Sequence, residues 1–96
     1  MMSDLHQIIP LLRSNQVVYA ALFGSRAQNR ARSDSDYDIL IEFSPKKKYT
    51  LLDLSSLQRS LKAALGADVD LVTKKSLHPY IKHEVLGTAV PFYEER

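Results

Sequence analysis

The sequence predicts an α/β fold: a small two-layer sandwich with a mixed β-sheet and flanking helices. Three observations carry this. Residues 17–23 form an unbroken apolar run of strand length, as in a central strand covered on both faces. Residues 36–43 alternate, with Tyr37, Ile39, Ile41 and Phe43 on one face and Asp36, Asp38, Leu40 and Glu42 on the other. Downstream, Leu54, Leu57, Leu61 and Leu65 recur at helical spacing. The resulting order, α-β-α-β-α-β-α, is that of a sheet with helices packed on it.

The elements follow in turn. Leu5, Ile8, Ile9 and Leu12 make a helical stripe that Pro10 interrupts, so the first helix is either kinked or starts short at the proline. Ser14 and Asn15 close it. The strand at 17–23 ends at Gly24, after which residues 25–29 suit a short helix with Ser25 as its N-cap. A turn at 33–35 leads into the second strand, and Ser44, Pro45 and three lysines form a loop. Thr50 and Asp53 make a capping box for the leucine helix, which Gly66 stops. Residues 68–73 read as a third strand with Val69 and Leu71 facing inward. Pro79 opens a last short helix with Ile81, Val85 and Leu86 on a stripe and Gly87 after it; residues 89–93 add an edge segment where Pro91 is tolerated.

Ninety-six residues suit one domain spanning 1–96, large enough for a two-layer core but with a thin stability margin. Part of its apolar surface is therefore expected to be completed by a partner or a second copy. The formal charge of +2 demands no polyanionic ligand. The compact run Lys46, Lys47 and Lys48 reads as a solvated loop, and direct nucleic-acid binding is not expected. The chain has no cysteine, which excludes disulfides and thiolate chemistry and suits a reducing compartment. No stretch approaches the ~20 apolar residues of a membrane span, and Asp4 and His6 stand where a signal peptide carries positive charge. A cytoplasmic location is expected.

Asp36 and Asp38 leave one strand face roughly 7 Å apart at Cα, a spacing at which two carboxylates grip hard cations. Asp70, turned away from the inward Val69 and Leu71, is the candidate third acid; Asp68 and Glu42 share its parity. An EF-hand is rejected, because Ile39 and Pro45 occupy the positions of its glycine and bidentate glutamate. Gly24 and Ser25 lie between a strand and a helix, where backbone N–H groups and a dipole end favour phosphate, and Arg26 supplies positive charge. The Walker pattern is absent. Taken singly, the aspartates read equally well as a polar turn, and Gly24-Ser25 as an ordinary capped turn.

Together, Gly24-Ser25-Arg26-Ala27 and Ser35-Asp36-Tyr37-Asp38-Ile39-Leu40-Ile41-Glu42-Phe43 resemble the minimal nucleotidyltransferase (MNT) branch of the polymerase-β-like superfamily. Leu22-Phe23 and Val69-Asp70-Leu71-Val72 also match, so the resemblance runs from about residue 17 to 93. It implies the polymerase-β-like nucleotidyltransferase fold, with Gly24 and Ser25 contacting the β- and γ-phosphates and Arg26 beside them. It further implies that Asp36 and Asp38 ligate two Mg²⁺ ions and that Asp70 is the third acid, near the attacking hydroxyl. Two positions depart from the pattern: Asn29, where relatives often have glycine, and Tyr37, between the aspartates, where they have isoleucine. The implied chemistry is in-line attack of a hydroxyl on the α-phosphorus of ATP, with pyrophosphate leaving.

In this family, compact proteins resemble the antitoxin of HEPN/MNT toxin–antitoxin pairs. The expected activity is therefore Mg²⁺-dependent transfer of AMP to a tyrosine hydroxyl of a HEPN toxin, as a type VII-like antitoxin. Nothing in the chain is left over for reading a template, so the acceptor is expected from elsewhere. A second reading is a non-catalytic module that neutralises a partner by contact; a third, a small-molecule transferase, lacks its usual substrate domain. Arg30 and Arg32 suit either a triphosphate or a solvated loop. His6, His78 and His83 have no metal spacing, and Tyr19, Tyr49, Tyr80 and Tyr93 are read as packing residues.

Overall fold

Pro10 decides where the first helix begins. The computed structural model describes residues 5–24 and 36–95, and within them helix α1 spans Ile9–Ser14 with Pro10 in its first turn, where the missing N–H has no partner to lose. The chain enters α1 through a separate turn in which the Ile8 N–H reaches the Leu5 carbonyl at 3.1 Å. The shorter of the two sequence alternatives therefore holds. Leu5, Ile8 and Leu12 are fully buried across that break.

Strand β1, Val17–Phe23, pairs antiparallel with β2, Tyr37–Phe43, and on its other side with β4, Val90–Glu94. Strand β3, Val69–Thr73, lies parallel to β2. The sheet order is β3-β2-β1-β4, a mixed sheet. The crossover from β2 to β3 is helix α2, Leu51–Leu65, as a parallel connection requires. The capping box is present: Thr50 N–H donates to Asp53 Oδ2 at 2.9 Å, and Asp53 N–H donates to Thr50 Oγ1 at 3.2 Å. At the other end Gly66 takes φ 66°, and its N–H reaches the Lys62 carbonyl.

A bulge in β1 sorts its side chains. Val17 is opposite Phe43 but Tyr19 is opposite Glu42, so Val18 is the extra residue. Val17, Ala20 and Leu22 consequently join Tyr37, Ile39, Ile41, Phe43, Val69 and Leu71 in the main core under α1 and α2, where Leu57 and Leu61 close it. Leu54 and Leu65 pack at its margin, completing the expected stripe. The opposite sheet face is not wholly polar. Leu40, which shares that face with the acids, is fully buried with Ala21 and Leu77, flanked by Val72 and Val85.

Val85 belongs to α3, Pro79–Thr88, which follows a 3-10 turn at Lys74–Ser76. His78 caps α3, its Nδ1 accepting from Tyr80 N–H at 3.3 Å, a role its spacing did not signal. Gly87 does not end this helix: α3 runs through it to Thr88, whose hydroxyl donates to the Glu84 carbonyl at 3.0 Å. The stop comes at Ala89, which turns to extended backbone ahead of Pro91. Tyr80 also departs from the packing reading, at 89 % exposed with its ring stacked on His78. Tyr93 packs as expected, and Tyr49 stacks on Phe43. No described helix is long and apolar enough to cross a membrane.

Candidate functional site

Strand register brings the acids together. Asp38 is the second residue of β2, and its neighbours across the sheet are Phe23 on β1 and Asp70 on β3. Adjacent strands lie about 4.8 Å apart, so Asp38 and Asp70 stand side by side in one row on the same face. That row is anchored from below. Tyr37 and Val69 are paired and buried in the main core, and Tyr37 N–H donates to the Asp68 carbonyl at 2.9 Å. Asp36 precedes the strand and is exposed, Asp38 is half-buried, and Asp70 is exposed on the edge strand.

The electrostatics carry the same message. The Asp38 carboxyl is pushed above its ordinary pKa of 3.8, first by burial and then by the negative charges of Asp70 and Asp36. Asp38 therefore feels the charge of both other acids. A concentration of negative charge built on a rigid strand pair is the donor chemistry of a hard cation. Among the described residues, no group of three His, Asp or Glu side chains is gathered closely enough to hold an ion unaided.

Gly24 closes the other side of the site. Its φ of 73° lies in the left-handed region. A Cβ added there would overlap the Asp38 Oδ2 atom and sit 3.1 Å from its Cγ. The glycine thus does two things at once, turning the chain out of β1 and leaving room for the Asp38 carboxylate. The turn is legible in the apolar run that stops at a glycine. The packing of Asp38 against it has no local signal, because it joins residues fourteen positions apart through strand pairing. Ser25, Arg26, Arg30, Arg32, the short helix expected at 25–29 and the turn at 33–35 lie outside the described residues.

The other acids of matching parity are engaged elsewhere. Asp68 binds Lys62 Nζ at 2.7 Å across two exposed side chains. That hydrogen bond is the main reason the Lys62 ammonium holds its proton more firmly, with Asp36 adding a smaller attraction. Glu42 lies at the far end of β2, 3.8 Å from Lys74 Nζ, so it is remote from Asp38 along the strand.

The comparisons bear on family and fold. The family model described as polymerase beta, nucleotidyltransferase matches residues 6–96. A Methanocaldococcus jannaschii protein is 44 % identical over 84 residues, covering 88 % of each chain, and a Thermococcus cleftensis protein named protein adenylyltransferase MntA is 42 % identical over 69 residues, covering 72 % of this chain and 68 % of that one. A crystal structure of a toxin–antitoxin complex with AMP-PNP aligns with a TM-score of 0.80 and 28 % identity, over 95 % of this chain and 73 % of that one. A structure of a tri-AMPylated Shewanella oneidensis HEPN toxin in complex with an MNT antitoxin aligns with a TM-score of 0.75 and 26 % identity, over 98 % and 73 %. Matched by that family model over residues 6–96 and by a relative at 44 % identity, the chain belongs to the polymerase beta nucleotidyltransferase family.

Proposed function

We propose that this protein transfers AMP from ATP to a tyrosine hydroxyl of a HEPN-type toxin, acting as a type VII-like antitoxin. The observation that carries the reading is the row Phe23–Asp38–Asp70, with Asp36 beside it and Gly24 packed against the Asp38 carboxylate. Support also comes from the related adenylyltransferase and from the fold shared with the AMP-PNP complex and the AMPylated HEPN complex.

In this reading Asp36, Asp38 and Asp70 are the residues that hold Mg²⁺, and Gly24, Ser25 and Arg26 hold the triphosphate. The donor set fits: Mg²⁺ takes few protein carboxylates and completes its shell with substrate phosphates and water, so the acids need no closed cage of their own. When bound, the ion lowers the pKa of the attacking hydroxyl and offsets charge on the phosphates. The chain's own residues position the reactants. Gly24 lets the polyphosphate approach backbone N–H groups. Asp38, rigid between β1 and β3, sets where the α-phosphorus stands. Asp70, on the exposed edge strand, faces the side from which an acceptor side chain can enter. The acceptor hydroxyl gives up its proton to solvent as its oxygen forms a bond to the α-phosphorus, the bridge to the β-phosphate breaks, and pyrophosphate leaves with that electron pair.

The test is incubation with α-labelled ATP, Mg²⁺ and a purified HEPN-type protein. Label is expected on the HEPN protein, together with loss of its ribonuclease activity. The Asp36→Ala/Asp38→Ala variant is expected to transfer none. Equal neutralisation by that variant would assign the effect to contact alone and end the enzymatic reading.

A further inference from the structure

Positive charge collects at the end of the sheet opposite the acids. Lys47, from the loop after β2, and Lys74 and Lys75, from the 3-10 turn after β3, line one cavity of about 120 Å³ with Tyr49 and Thr73. Phe43 marks its position, roughly 17 Å along β2 from Asp38 at strand spacing. The cavity has one acid, Glu42, and Lys74 already attends to it at 3.8 Å while its ammonium also sits 3.8 Å over the Tyr19 ring. Lys47 and Lys75 have no acidic partner among the ion pairs of the described residues. A second basic pair, Arg13 and Lys46, borders the adjoining cavity together with one acid, Glu95, and that cavity shares Ser44 with the first.

Next along the chain from Tyr49 come two of the most exposed apolar side chains among the described residues. Leu51 and Leu52, 80 % and 79 % exposed, open helix α2 directly after Tyr49 and the capping residue Thr50. They point away from the core that Leu57 and Leu61 enter. A nucleic-acid backbone has use for the lysines but none for a leucine pair. A protein segment carrying carboxylates next to apolar side chains has use for both.

We propose that this basic, leucine-edged end of the sheet docks an acidic, apolar segment of the acceptor protein, away from the acids that perform the transfer. The division suits charge, since an acidic segment is repelled by Asp36, Asp38 and Asp70 and attracted to Lys47 and Lys75. It rests on the reading that the acceptor is a protein.

The test measures binding without chemistry, so it fails independently of AMP transfer. A short fluorescein-labelled peptide of glutamates flanking a leucine pair, and an oligouridylate of equal charge, are titrated into the full chain at low and physiological salt. Peptide binding is expected to exceed RNA binding. It is expected to weaken by about tenfold or more in Lys47→Glu/Lys75→Glu, by a smaller factor in Leu51→Ser/Leu52→Ser, and to fall as salt screens the lysines. Lys74 is left intact because it packs on Tyr19. Circular dichroism melts of both variants should match the parent, since Lys75, Leu51 and Leu52 are exposed and the half-buried Lys47 lines a cavity outside the core. RNA bound as tightly as peptide, peptide affinity indifferent to the leucines, or no peptide binding at low salt would each overturn the proposal.

Discussion

Replacing Asp38 by asparagine is expected to lower AMP transfer by about a hundredfold to a thousandfold, the scale for loss of one preorganised electrostatic group, without destabilising the metal-free protein. The two halves of this expectation have one cause. Burial and the charges of Asp70 and Asp36 oppose ionisation of the Asp38 carboxyl. A carboxyl whose pKa is raised by folding contributes stability that is complete below its unfolded pKa and is lost as pH rises through the folded value. Ionising this carboxyl in the folded protein is therefore a cost carried for function. Asparagine keeps the shape and removes the charge, so Asp38→Asn should match or exceed the wild type in stability, by up to about 1 kcal/mol for a charge this open to water. Urea unfolding in EDTA across the acidic range checks the sign. The wild type should lose stability relative to Asp38→Asn as pH rises above the ordinary carboxylate value of 3.8. A variant less stable than wild type at pH 7 would mean that the acid is a structural partner.

Gly24→Ala is expected to cost both stability and activity, and Gly66→Ala only the first. Both glycines adopt left-handed backbone, φ 73° and 66°, and alanine there costs about 1–2 kcal/mol at each position. Their surroundings differ. Nothing lies within 4 Å of a Cβ at Gly66, whereas one at Gly24 meets the Asp38 carboxylate. Alanine at position 24 must therefore displace the acid, and a misplacement of about 1 Å costs on the order of a hundredfold in rate. With similar losses in urea midpoint, the ratio of the two transfer rates isolates the effect on the site. Equal transfer rates would show that Gly24 serves only the turn.

The sequence carried the fold wherever its signals were local. The Thr50–Asp53 box, the glycine at 66 and the leucine period define α2 without help from the rest of the chain. Alternation from Tyr37 to Phe43 likewise located the buried face and, by parity, the acidic one. Local patterns misled where tertiary contacts decide. Gly87 looked like a stop but stays helical, because its backbone is free of any left-handed demand and Ala89 makes the turn instead. Leu40 sits on the acidic face yet is buried, since Leu77 and Val85 arrive from a later part of the chain to cover it. The bulge at Val18 is equally silent in sequence: it is the pairing with Phe43 and Glu42 that defines it. For the site, parity brought Asp36, Asp38 and Asp70 to attention, and the register of β2 on β3 set two of them side by side. The clearance that Gly24 gives Asp38 depends on β1 pairing with β2 and was beyond any reading of spacing.

The most direct measurement is a calorimetric titration of AMP-PNP into the wild type and Asp38→Asn, each with Mg²⁺ and with EDTA. Binding to the wild type is expected to need Mg²⁺ and to weaken by about tenfold or more in the variant, as loss of a group that orients a metal site does. Equal affinities in all four titrations would contradict an acid-built site for a metal-bound nucleotide at the β2–β3 row.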